Sequence, residues 1–379
     1  MRCGSRFARV CGLVASIAVV SCGSDKDVKP IDAGASDAPS QPIVGGKLGA
    51  ALASAAAAAG TSGPAKGAPK GDDAPPENGI FAAAEADRRH PKDAPPKIDV
   101  ISEGADPKVQ LTPKLDAAEQ KVTVNVGLRL NQNRLPPLDF ALSIKPDKPT
   151  ADKPKEGAAA PGPVRLAATV QGATVPASTP VPKEFTDTLA KLKGTVVRYD
   201  LTPTGVASNF AVEAPKEAVE GLEVVFDALI DAISMFTVPV PPKPVGKDGF
   251  WIAGDRAKTA AGVEVVRYRV FKVTSVDEGG VTLSVDIRQY AATDKLKLDT
   301  APGQKSEMPM DAFESQGKGN AVWKADAFLP VRGDFSERLG ARLAAPQGAQ
   351  QQGQRAPVVQ TELTATLGGA APGAPEKKP

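Results

Sequence analysis

The chain has 379 residues, long enough for two domains, and a formal charge of +2. Removal of Arg2, Arg6 and Arg9 with a leader would leave it close to neutral, so charge gives no reason to expect a nucleic-acid partner. Its 3 cysteines, Cys3, Cys11 and Cys22, all sit at the amino terminus, so a mature chain beginning at Cys22 makes no internal disulfide and no thiolate metal cluster.

Residues 1–21 read as a signal peptide. Three arginines precede an apolar run from Val10 to Val20, which is too short to cross a bilayer as a mature helix. The ending Val19-Val20-Ser21-Cys22 resembles the lipobox of bacterial lipoproteins, although Val20 stands where a small residue is usual. The resemblance implies cleavage after Ser21, a diacylglycerol on the Cys22 thiol and acylation of the new amino group. Several acyl chains hold a protein stably on a membrane, at ~0.8 kcal/mol per buried CH2. Gly23, where an aspartate would resemble an inner-membrane retention signal, points to the outer membrane of a two-membrane host. Ordinary cleavage after a small residue such as Ala18 is the alternative, and it would release a soluble protein.

Residues 22–96 are mostly Ala, Gly, Pro, Ser, Lys and Asp. They bury too little apolar surface to offset ordering entropy, and the expectation is a disordered tether. Within it, Lys47 to Ala59 could form a fraying alanine helix. Asp32, Asp37, Asp72 and Asp73 lack the spacing of a calcium loop and read as solvated charge. His90, the only histidine, falls in this linker before Pro91.

From Lys97 to about Leu367 the pattern is that of an antiparallel β domain. Val122, Val124, Val126, Leu128 and Leu130 alternate with polar residues, and Leu138, Phe140, Leu142 and Ile144 repeat this after Pro136-Pro137. Lys145 to Pro163 reads as a loop. A strand at Val164–Val170, a short helix at 183–193 with Phe185, Leu189 and Leu192 on one face, and a hairpin from Val197 to Val212 follow. The spacing of Val219, Leu222, Phe226, Leu229, Ile233 and Phe236 predicts one long amphipathic helix over 216–236, begun after Pro215 and stopped by the prolines from Pro239. Gly262 to Tyr290 reads as a β-hairpin. Val281, Leu283, Val285 and Ile287 share one face of its second arm, while its first arm alternates from Val266 to Val270 and slips phase at Phe271-Lys272-Val273, which predicts a bulge. Asp277-Glu278-Gly279-Gly280 closes the turn. Further strands are expected near 307–315, 319–327, 334–343 and 357–367, the third ambiguous with a helix, and residues 368–379 read as a disordered tail. Of the 17 aromatic residues, 14 lie between Phe185 and Phe335, which places the best-supplied core there. The expected fold is mainly β (α+β): a curved antiparallel meander sheet or half-barrel, with the long helix on its apolar face.

Pro244-Val245-Gly246 at a Pro-rich helix exit, Trp251 opening a strand, and the paired strands of 263–290 together resemble an uncharacterised family of bacterial envelope lipoproteins known from myxobacteria and relatives. The resemblance covers residues 97–367 and implies the fold and an envelope location. It implies no activity.

Motifs for catalysis are few. A histidine base is not expected with His90 in a linker, and no Gly-Lys-Ser/Thr loop is present. Ser315-Gln316-Gly317-Lys318 matches Ser-x-x-Lys, but Gly317 and Gly319 read as a turn between strands rather than a helix start. Asp294 and Asp299 are candidate paired carboxylates, though Lys295 and Lys297 beside them favour a solvated loop. Trp251 and Trp323 could stack on sugars or simply be buried. No cofactor or metal is implied. The reading is a membrane-anchored, non-enzymatic binding or accessory module whose partners are membrane lipid through the Cys22 acyl chains and an apolar ligand held between sheet and helix. A structural or protein-interaction component of the envelope is the alternative, and an envelope hydrolase the third.

Overall fold

The computed structural model describes residues 75–92, 94–115, 118–147, 162–215, 222–301, 304–344 and 356–368. Cys22, the leader, the tether up to residue 74 and the tail after residue 368 lie outside the described residues.

The described chain is mainly antiparallel β. Its strands are β1 (Lys97–Ser102), β2 (Gln120–Leu130), β3 (Asn133–Arg134), β4 (Leu138–Pro146), β5 (Val164–Thr174), β6 (Val196–Leu201) and β7 (Ala207–Glu213), then β8 (Phe250–Lys258), β9 (Glu264–Asp277), β10 (Gly280–Ala291), β11 (Lys295–Ala301), β12 (Gln304–Trp323), β13 (Arg332–Leu343) and β14 (Val358–Leu367). The helices are α1 (Ala83–Arg89), α2 (Lys183–Ala190) and α3 (Glu223–Phe236). All 14 strands form one open sheet in the order β1-β8-β9-β10-β12-β13-β14-β2-β4-β5-β6-β7, with β11 paired to β12 and β3 to β2. Two meanders are thus joined by pairing the last strand, β14, with β2.

Register carries one apolar face across this join. Phe335 pairs with Ala365, Ala365 with Val126, and Val126 with Leu138, and all four are buried. Helix α3 lies against that face, touching β2, β7 and β14, while β9 reaches it through Arg267 and Arg269. In a flat sheet with strands about 4.8 Å apart, β9 and β7 would be separated by roughly 43 Å. A helix is only about 10–12 Å wide. The sheet therefore curls around α3.

The curl explains why α3 departs from the predicted amphipathic helix. The described helix is 14 residues long and is preceded by Leu222; residues 216–221 of the expected span lie outside the described residues. Leu222, Phe226, Leu229, Ile233 and Phe236 are buried as the spacing predicts, but so are Val225, Ala228, Asp231, Ala232 and Met235. A helix with strands around most of its circumference must be buried on most of it. Phe236 meets Phe335 edge-on at 5.1 Å.

Other expectations need correction as well. Residues 75–92 and 94–96, assigned to the tether, are folded against the sheet, with Ile80 in the inner cluster of Val265 and Phe313 and the α1 segment on the opposite face. Ile80 bridges to Ala291, and Phe81 and Ala86 of the α1 segment pack on Val266 and Ala292. The ranges 307–315 and 319–327 are not two strands. One strand, β12, runs from Gln304 to Trp323, pairing first with β11 and then with β10. Gly317 and Gly319 are mid-strand residues because their missing side chains admit Ile287 and Phe335 closely. The ambiguous 334–343 segment is strand β13. Helix α2 ends at Ala190 rather than Lys193, though Leu189 and Leu192 are buried as expected.

The bulge in the β9–β10 hairpin falls at Thr274, between the pairs Ser275–Thr282 and Val273–Leu283. Phe271-Lys272-Val273 does not slip phase. Val265, Arg267, Arg269, Phe271 and Val273 all occupy the inner face, so two of the inward positions are arginines.

Candidate functional site

Those two arginines begin a row of buried polar side chains beneath α3. Arg267 and Arg269 are 2% and 1% exposed. Register sets Asp255 of β8 opposite Arg267, and the pair is bidentate: Arg267 Nε donates to Asp255 Oδ1 at 3.0 Å and Nη2 to Oδ2 at 2.6 Å. Arg269 Nη2 donates to the same Oδ2 at 3.3 Å. One carboxylate thus holds two guanidiniums, the planar fork geometry for which arginine is suited. Burial by itself would raise Asp255, but the Arg267 and Arg269 charges outweigh it and hold the carboxyl below its usual range.

The arginines also fasten the helix. The last carbonyls of any α-helix lack intrahelical donors, and α3 has no basic residue in its last turn. Arg269 on β9 supplies the donor instead, its Nη1 reaching Ser234 O at 3.1 Å and Thr237 O at 2.8 Å. A cation at this end also complements the helix dipole. Burial and the neighbouring Arg267 bring Arg269 down to about 9, which still leaves it charged at neutral pH. Arg267 Nη2 donates to Ser234 Oγ at 3.0 Å. Asp231, one turn earlier, accepts the Ala260 N–H of the β8–β9 turn at 2.8 Å, and burial pushes its carboxyl up.

The row continues along the inner face. Gln289 of β10 and Glu337 of β13, 3% and 1% exposed, meet through a hydrogen bond from Gln289 Nε2 to Glu337 Oε1. Burial, then the nearby Asp231, raises Glu337 well above the ordinary carboxylate range. Apolar clusters flank the row. On one side lie Trp251, Phe271, Leu283 and Trp323; on the other, Val265, Phe313 and Leu343.

The cavity bounded by Met235, Phe236, Phe271, Val285, Ile287 and Phe335 holds about 10 Å³, room for about one water. Chemically, the row fixes α3 to β8 and β9 and seats carboxyl groups of differing proton affinity side by side. Among the described residues no three of His, Cys, Asp and Glu are grouped to hold a metal.

The candidates from sequence do not converge here. Cys22 is outside the described residues. Ser315 and Lys318 lie on one continuous strand, where an odd spacing points them to opposite faces, so the lysine is not placed to activate the serine. Asp294 is exposed in the turn after β10, and Asp299 belongs to strand β11 rather than to a loop. Trp251 is fully buried, stacked on Phe271 at 5.4 Å, with its Nε1 donating to Pro239 O at 2.7 Å. Trp323 is buried in the same cluster, so neither ring offers a face to a sugar. His90 is not in a linker. It follows α1, 7% exposed, edge-on to Tyr268 and close over Gly254, and burial lowers its proton affinity.

Sequence reasoning missed Asp231, Asp255, Arg267, Arg269, Gln289 and Glu337. For the arginines a signal was available. Arg267 and Arg269 share parity with Val265, Phe271 and Val273, and a strand whose inward positions switch from apolar to arginine and back announces a buried charge pair as well as a bulge would.

No family model and no curated protein matches the chain. It is similar in structure to a solved protein described under "lipid-protein interactions in lipovitellin", with 10% identity over 69% of this chain and a TM-score of 0.37. The match spans only 26% of that other chain. A likeness of that degree carries no argument about function. Among the described residues no helix is long and apolar enough to cross a membrane, which says nothing of a crossing by strands.

Proposed function

We propose that this protein is a non-enzymatic envelope module, anchored to the outer membrane through acyl chains on Cys22, that works by contacting another envelope protein with its outer surfaces and strand edges. The observation supporting contact from outside is the filled interior. The space in which an apolar ligand was expected is taken by α3, which is tied to the sheet by Arg267, Arg269 and Asp231, and the cavity beside Phe236 and Phe335 holds about 10 Å³. A lipid chain needs hundreds of Å³, so internal carriage would require α3 to leave and its hydrogen bonds with Arg267, Arg269 and the Ala260 N–H to break. Among the described residues β1 ends the sheet on one side and β7 on the other; β7 is kinked at Asn209, whose φ is 53°, which blunts that edge and leaves β1 the edge better suited to a partner. Anchoring rests on the lipobox resemblance of Val19-Val20-Ser21-Cys22.

Native mass spectrometry of the full chain purified from its own membrane tests this reading. A defined protein partner, with no lipid beyond the acyl groups on Cys22, is the expected result. Co-purifying lipid at fixed stoichiometry would favour the carrier instead. For the anchor, Cys22→Ser should move the protein from the membrane fraction to the soluble one; a variant that stays in the membrane fraction excludes lipidation as what holds it there.

A further inference from the structure

Gln289 and Glu337 meet diagonally across β12. Glu337 is in register with Gly317, and Gly317 with Ile287, two residues before Gln289. A Cβ on Gly317 would come within 3.0 Å of Ile287 Cβ, and its absence leaves the inner face of β12 low enough for the two side chains to reach over it.

Gln289 Nε2 donates to Glu337 Oε1. The pair's remaining oxygens, Gln289 Oε1 and Glu337 Oε2, are both buried without a hydrogen-bond partner. With Glu337 ionised both are acceptors, and neither can satisfy the other. One proton on Glu337 Oε2 supplies the missing donor and completes an acid–amide ring.

Charge counting gives the same answer. Beneath α3 the row sets Asp231, Asp255 and Glu337 against Arg267 and Arg269. Asp255 binds both arginines and Asp231 accepts a backbone N–H, whereas Glu337 is bonded only to an amide. The charged groups facing it are Asp231 from α3, which opposes its ionisation, and Arg267 from β9, which favours it. Its β14 partner is the apolar Leu363.

We infer that Glu337 keeps its proton at neutral pH and donates it to Gln289 Oε1, making this pair a proton-dependent clasp between β10 and β13 beneath α3. Loss of that proton would leave three buried carboxylates against two guanidiniums, with one negative charge uncompensated. The clasp thereby sets an upper pH limit on the stability of the interior.

The sign follows from the raised proton affinity. The unfolded chain releases this proton above about pH 4.3 while the folded chain retains it. The clasp's contribution is therefore complete below that value and is lost as pH rises toward the folded-state value. Glu337→Gln keeps the shape and carries a permanent N–H donor. Urea unfolding of both full-length proteins across pH should show the folding constant of wild type falling about tenfold per pH unit relative to Glu337→Gln above about pH 4.3. A ratio independent of pH overturns the inference.

Infrared spectroscopy in heavy water gives a readout that does not need the variant to fold. Wild type at neutral pH should show the carbonyl stretch of a protonated carboxyl, and Glu337→Gln should lack it. Absence of the band in wild type, its persistence in Glu337→Gln, or a stoichiometric bound cation in elemental analysis would each refute a proton on Glu337.

Discussion

Asp255 is the residue on which the buried row turns, because one carboxylate holds both arginines. Removing a partner from a buried pair leaves an uncompensated charge, at a cost of about 3–5 kcal/mol. Asp255→Ala should be destabilised by about that much in urea unfolding, far more than the alanine variant of an exposed ion-pair residue such as Asp187, where ~0.2–1 kcal/mol is usual. Acid should act on the same carboxyl. Its proton affinity is depressed in the folded state, so its contribution is present above the unfolded value of about 3.9 and is lost as pH falls through the folded one. Stability should thus decline less steeply below about pH 4 in Asp255→Asn than in wild type. At this scale the sequence was legible only in part. Val281, Leu283 and Ile287 face inward as their alternation implies, but Arg267 and Arg269 broke the apolar code that the reading depended on. Which carboxylate meets an arginine is set by strand register, and composition does not carry it.

Among the elements, the strands were the most legible, since period-two alternation survives wherever one face is buried. The exceptions have local causes. In β12 the glycines imitate a turn, although they are there because Ile287 and Phe335 crowd that face. In α3 the stripe marked the helix but gave no sign of strands on its other sides. The α1 segment was hidden by its composition: Ala86 and Phe81 are all it needs to bury, and His90 completes the contact. A Cβ at residue 254 would stand 2.5 Å from His90 Cε1. Gly254→Ala should therefore displace the ring and speed hydrogen exchange over residues 83–90, leaving the amides of 223–236 unchanged. Equal protection of α1 in both proteins would show that His90 does not pin the segment.

For the whole molecule, local pattern foresaw a mainly antiparallel sheet, yet the pairing of β14 with β2 is a contact between distant parts of the chain that no short stretch encodes. That pairing joins two meanders into a single curled sheet, and the curl makes α3 an interior element where a covering one was expected. Shape, burial and hydrogen bonds then agree that α3 belongs to the core, which supports the proposal that the protein meets a partner from outside. Native-state hydrogen exchange over residues 223–236 tests this most directly. If α3 is core, its slowest amides exchange only by global unfolding, with the same free energy and denaturant dependence as those of β9 and β10. Exchange of the α3 amides through a smaller opening, while β9 and β10 stay protected, would mean that the helix can leave the sheet and would return the interior to a ligand.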